Sequence, residues 1–206
     1  MTEIEQPQIY LITPNEIDLA EFTPRLAAVL DTHPVACVRL ALSSREESQI
    51  TRIADGLREI THARDVALVI ENHVLLVDRL GLDGVHLSDG ARSVRATRKT
   101  LGADAIVGAF CGPTRHDGIS AAEAGADYAS FGPIGPSPLD DGTVADLELF
   151  QWWSEMIEVP VVAEGNLNVD LVRNLSPYTD FFAFQDEIWM QNDPVKSLSS
   201  FIAAFA

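Results

Sequence analysis

Ala121-Ala-Glu-Ala-Gly-Ala-Asp-Tyr-Ala-Ser-Phe-Gly-Pro-Ile-Gly-Pro-Ser-Pro138 is the stretch whose reading decides the architecture. It reads as a helix end, a tight turn at Gly125, a short buried strand over residues 127–131, and a loop stiffened by Pro133, Pro136 and Pro138, whose rings fix φ. A buried parallel strand that delivers a stiff, glycine-opened loop is how an α/β protein presents groups to a ligand at the carboxyl end of its sheet.

The same unit recurs on both sides. Apolar runs of strand length fall at 8–13, 35–42, 66–71, 83–87, 105–110, 159–163 and 180–184. Between them lie helical patterns at 19–30, 50–60, 74–80, 94–101, 119–124, 147–157 and 169–175, and a last one at 195–205. Pro24 fits the first helix only in its opening turn, and Ser43 or Ser44 with Glu46 and Glu47 opens the second. Eight continuous apolar strands, each with a covering helix, predict parallel pairing and a single-domain (βα)8 TIM barrel over residues 1–206. The competing open, doubly wound sheet seldom needs eight near-equal units, and no GxGxxG follows the first strand.

Composition narrows the partners. The chain carries 31 acidic against 14 basic residues, a formal charge of −17, which excludes a nucleic-acid surface and disfavours an anionic membrane. Lys99 and Lys196 are its only lysines, so a bound anion must rely on Arg or on backbone N–H groups. Cys37 and Cys111 lie in apolar strand-like runs without metal spacing and read as buried thiols. An acidic amino terminus without signal character, and no apolar run of about 20 residues, predict a cytoplasmic protein. A small molecule is the expected ligand, and a second copy, in a homodimer, is the one protein partner this reading admits.

In a barrel, candidate site residues are those at strand carboxyl ends. These are Arg39, then Glu71, Asn72 and His73, then His86, Ser88 and Asp89, then Phe110 and Cys111. Gly132 to Ser137, then Glu164, Gly165 and Asn166, and finally Gln185, Asp186 and Glu187 complete the rim. Arg39 sits in an apolar run and must be paired, either with a carboxylate, Glu71 ahead of Glu164, or with a bound anion. Glu71 and Glu164 read as ligand contacts or as solvated strand ends, and His86 as an inward, hydrogen-bonded histidine rather than a base. Gly165-Asn166 ahead of a helix is a nest for an anion, whereas Asp186-Glu187 places negative charge where many barrels hold phosphate.

Ile9-Tyr-Leu-Ile-Thr13, Asp83-Gly-Val-His-Leu87, Ala121 to Tyr128, Phe131 to Pro138 and Pro160-Val-Val-Ala-Glu-Gly165 together resemble the thiamine phosphate synthases and their relatives the thiazole tautomerases. Resemblance to the synthases implies Mg²⁺-dependent coupling of a pyrimidine-methyl diphosphate to a thiazole phosphate, with loss of diphosphate. Resemblance to the tautomerases implies aromatisation of a thiazole carboxylate phosphate. The departures are specific. The synthases' Asn-Asp after the third strand is Glu71-Asn72, and their second metal-binding Asp falls at Ala91. Their Gln, Arg and Lys around the second strand fall at Arg39, Ala41 and Ser43, and a basic residue after the proline-rich loop falls at Asp140. The phosphate-approaching Gly-Gly is Gly165-Asn166, a Ser near the last strand is Asp186, and the tautomerases' catalytic His falls at Gly112-Pro113.

The sequence therefore assigns no catalytic residue and no cofactor beyond the Mg²⁺ the resemblance implies, and no metal ligand unless Glu71 and Asp89, each next to a lost ligand, hold the ion from shifted positions, which one residue of shift on a strand opposes by reversing the side chain's face. Two readings stand: a barrel of thiamine metabolism with altered or reduced chemistry on a small phosphorylated or heterocyclic ligand of thiazole or pyrimidine type, or a non-catalytic binding or regulatory barrel. Arg39, Glu71, Asn72, His86, Asp89, Gly132, Ser137, Glu164, Gly165, Asn166 and Asp186 are the expected ligand contacts.

Overall fold

Alternation along each strand sorts side chains into two populations in this computed structural model, which describes residues 6–136 and 142–205. Val38 and Leu40, Leu68 and Ile70, Val161 and Ala163, and Phe182 and Phe184 face a ring of helices and join one large apolar cluster. Tyr10, Cys37, Val69, Tyr128, Val162 and Ala183 turn the other way and fill a separate, smaller cluster inside the sheet. Two buried faces explain why the strands read as continuous apolar runs.

The strands are β1 (Gln8–Ile12), β2 (Val35–Leu40), β3 (Ala67–Glu71), β4 (Gly84–Leu87), β5 (Ile106–Phe110), β6 (Tyr128–Phe131), β7 (Val161–Glu164) and β8 (Phe181–Phe184). All pair in parallel in sequence order, and β8 returns to β1 to close a TIM barrel without sheet edges. The helices are α1 (Leu19–Thr32), α2 (Glu47–His62), α3 (Val74–Leu80), α4 (Val94–Leu101), α5 (Arg115–Ala124), α6 (Leu147–Met156), α7 (Val169–Leu175), α8 (Asp186–Trp189) and α9 (Pro194–Ile202), with a 3₁₀ turn at Ser176–Tyr178. No helix among the described residues is long and apolar enough to cross a membrane.

Three local expectations are corrected. Pro24 lies in the second turn of α1, not its first, at an exposed position, while Asp18 caps the helix start and Leu26, Val29 and Leu30 are buried. The last helical stretch begins at Pro194, capped by Asp193, and the short α8 precedes it. β4, β6 and β8 start one residue later than read, because Asp83, Asp127 and Asp180 turn their carboxylates onto the neighbouring strand. They accept the N–H groups of Leu68, Val107 and Val161, each at 2.7 Å, so β3, β5 and β7 are each pinned at the amino end by the aspartate ahead of the next strand.

Candidate functional site

Inside the barrel the apolar floor gives way, towards the carboxyl ends of the strands, to one polar network. Arg39 on β2 is 4% exposed. Its Nη1 and Nη2 donate to the two carboxylate oxygens of Glu164 on β7, at 3.0 and 3.1 Å. Ser130 on β6 donates to the same carboxylate at 2.6 Å. The bidentate partner of Arg39 is thus Glu164, across the barrel, and not Glu71 on the adjoining strand. Arg39 is level with Val69, which leaves Glu71 two residues further along β3, with its Oε2 3.8 Å from Arg39 Nε. That Nε is buried and has no hydrogen-bond partner.

Arg39 Nη1 also lies 2.5 Å from His86 Nε2, and His86 Nδ1 lies 2.9 Å from the Tyr128 hydroxyl. A guanidinium only donates, so Nε2 accepts; His86 is then the neutral Nδ1–H tautomer, donating to Tyr128. Burial, with the charge of Arg39 behind it, holds the His86 pKa well below its ordinary value. Tyr128 continues the chain to the Tyr10 hydroxyl at 2.8 Å, and burial raises the pKa of both tyrosines. His86 is therefore the inward, structural histidine the sequence suggests. Burial opposes the charge of Arg39, but the charge and hydrogen bonds of Glu164, together with Tyr10 and Tyr128, raise its pKa overall. Burial likewise pushes the Glu71 carboxyl up against the pull of Arg39, and the Glu164 charge adds to the rise.

The other expected contacts separate into those at the mouth and those spent on structure. Glu164, Gly165, Asn166 and Asp186 border, with Arg39 and Glu187, a cleft of 140 Å³ between the ends of β7 and β8. Asn72, at φ 61°, accepts the Ser88 N–H at 2.9 Å and donates to the Ser88 hydroxyl at 2.8 Å, lacing two loops together. Asp89 accepts the Ser93 hydroxyl at 2.6 Å. Gly132 is there for chain packing: a Cβ would lie 2.4 Å from the Glu164 carbonyl oxygen. Cys111 faces the helices rather than the rim, and burial pushes both its thiol and that of Cys37 up to about 12. Ser137, and Asp140 with it, lies outside the described residues. Ser130, Tyr128 and Tyr10 were missed by sequence reasoning; counting back by twos from Gly132 along the inward face reaches Ser130 and Tyr128.

These residues do not fit a Mg²⁺ held in the way the resemblance implies. The amide of Asn72 is bonded to Ser88 and carries no charge, Ala91 offers no donor, and Asp89 already accepts the Ser93 hydroxyl on one oxygen. Among the described residues no group of three or more His, Cys, Asp or Glu is placed to hold a metal ion. What the mouth offers instead is a neutralised Arg39, one free buried N–H on it, and the half-buried carboxylate of Glu71.

Comparison with known proteins bears directly on this barrel. A family model described as thiamine monophosphate synthase matches residues 9–179. The thiamine-phosphate synthase of Rhodospirillum centenum is 41% identical over 184 residues, covering 88% of this chain and 89% of the relative. That of Erythrobacter litoralis is 34% identical, covering 99% of this chain and 100% of the relative. Among solved structures, a thiamine phosphate pyrophosphorylase from Pyrococcus furiosus superposes with a TM-score of 0.82 at 21% identity, over 96% of this chain and 95% of that one, which is a likeness of fold. By its sequence match and its barrel, this chain belongs to the thiamine monophosphate synthase family.

Proposed function

We propose that this family member binds a small heterocycle of the thiazole or pyrimidine type at the carboxyl end of its barrel, and that the Mg²⁺–diphosphate half of the family site is degenerate. The observation that carries the reading is the Arg39–Glu164 pair. Among the described residues Arg39 is the only buried Lys or Arg, and its charge is already matched by a bidentate carboxylate. A diphosphate leaving group needs compensating positive charge, and a hard cation needs several oxygen ligands. The bonded side chains of Asn72 and Asp89, and Ala91, support the same conclusion. Glu71, Glu164, Gly165, Asn166 and Asp186 are the contacts assigned to the ligand.

A second reading, thiamine phosphate synthesis itself, is favoured by the names that relatives as similar as 41% identical carry. A ligand-observed binding screen separates the two, using the thiazole alcohol, its phosphate, the pyrimidine diphosphate and thiamine phosphate, each followed for turnover with Mg²⁺. Binding of an unphosphorylated heterocycle without turnover supports the first reading. Mg²⁺-dependent turnover supports the second, and absence of any binding refutes both.

A further inference from the structure

The carboxylate of Glu187 is held by two loops at once. Leu167 N–H donates to its Oε1 at 2.9 Å and Gln185 N–H donates to its Oε2 at 2.8 Å. Leu167 follows Gly165 and Asn166, whose φ values of 90° and 55° turn the chain out of β7. Gln185 directly follows β8. Glu187 is half-buried and forms one wall of the 140 Å³ cleft, beside Asp186 and across from Arg39 and Glu164. Oxygens on one centre, each taking an N–H from the loops after the seventh and eighth strands, reproduce the contacts an oxyanion makes at this corner of a (βα)8 barrel.

We propose that Glu187 is a resident anion that sets the specificity of the mouth: its carboxylate fills the oxyanion cradle between the β7 and β8 loops and keeps phosphate groups out of it. An incoming phosphate must break both N–H bonds and displace a like charge. The cleft is thereby left to ligands without a phosphate at this corner. The proposal goes beyond the heterocycle reading and does not depend on it, since the probe is inorganic phosphate alone.

The test is calorimetric titration of inorganic phosphate into the unaltered protein and into Glu187→Ala, Glu187→Gln and Asp186→Asn, each checked for folding by its denaturation curve. The unaltered protein is expected to give no saturable binding at millimolar phosphate. Folded Glu187→Ala gains affinity by at least about tenfold, the scale of two charge-assisted hydrogen bonds regained. Glu187→Gln, which keeps an acceptor oxygen but no charge, gains less, and Asp186→Asn stays at the starting level. Equal binding by the unaltered protein and Glu187→Ala, no gain in a folded Glu187→Ala, or an equal gain in Asp186→Asn overturns the proposal. Should Glu187→Ala not fold, amide NMR on the unaltered protein and Glu187→Gln decides. The Leu167 and Gln185 amides are expected to stay unmoved by phosphate at pH 7 in the unaltered protein and to shift with it in folded Glu187→Gln. A phosphate-induced shift in the unaltered protein, or none in Glu187→Gln, overturns it.

Discussion

Arg39 and Glu164 hold each other in the barrel interior, and neither is neutral on its own. Removing one leaves the other charged and desolvated, which commonly costs about 3–5 kcal/mol, whereas replacing both by apolar residues of similar volume is far milder. Arg39→Met is therefore expected to destabilise the fold by that amount in urea denaturation, and Arg39→Met with Glu164→Leu to recover most of the loss; a single-variant cost below about 1 kcal/mol would show that water already compensates the pair. His86 gives the residue scale a pH signature. It is neutral in the native state, with a pKa well below 6.5, while an unfolded chain protonates it near 6.5. Below pH 6.5 the unfolded state thus holds the extra proton, and stability falls as the pH drops towards the native pKa, by up to about 1.4 kcal/mol per pH unit. Glu71 runs the other way. Its pKa is raised from 4.5, so the native state holds the extra proton above that value, and stability falls as the pH rises towards the raised pKa. Comparing the unaltered protein with His86→Gln isolates the histidine: the variant is expected to lose about one proton of slope below pH 6.5, and identical slopes would contradict the neutral assignment. The inward direction of Arg39 and His86 was legible, because alternation fixes it. The partner of Arg39 was not, because strand register and the reach across a closed barrel leave no mark in the sequence.

At the scale of elements, the aspartates ahead of β4, β6 and β8 fix where neighbouring strands begin. Asp180→Ala leaves the buried Val161 N–H without an acceptor and is expected to cost about 1–3 kcal/mol, with Asp180→Asn costing less because it keeps an oxygen. Equal melting temperatures for the three proteins would refute the role. Gly135 binds the proline-rich loop to the β7 loop: a Cβ would lie 2.2 Å from the Asn166 carbonyl oxygen. Gly135→Ala is expected to shift the Gly165 and Asn166 amide resonances and weaken ligand binding, and unmoved resonances would contradict that role. Eight strands were legible as apolar runs because both faces are buried. α8 was not, since its four residues are too few for a helical period, and Pro24, expected only in the first turn of α1, lies in its second because its exposed position tolerates the lost bond.

For the whole molecule, closure follows from eight matched strand–helix units, and the family from motifs spread over most of the chain. Whether coupling chemistry survives depends on charges that the sequence names but does not place: a buried arginine neutralised across the barrel, a carboxylate resting in a backbone cradle, and polar residues committed to loops. The measurement that bears most directly on this account is a coupling assay with both substrates and saturating Mg²⁺, run beside the Rhodospirillum centenum synthase. The account predicts thiamine phosphate formation slower by at least about 10²-fold, the usual cost of losing a well-placed electrostatic partner. A rate equal to that of the relative, dependent on Mg²⁺ and abolished by Glu71→Gln or Asp89→Asn, would contradict it.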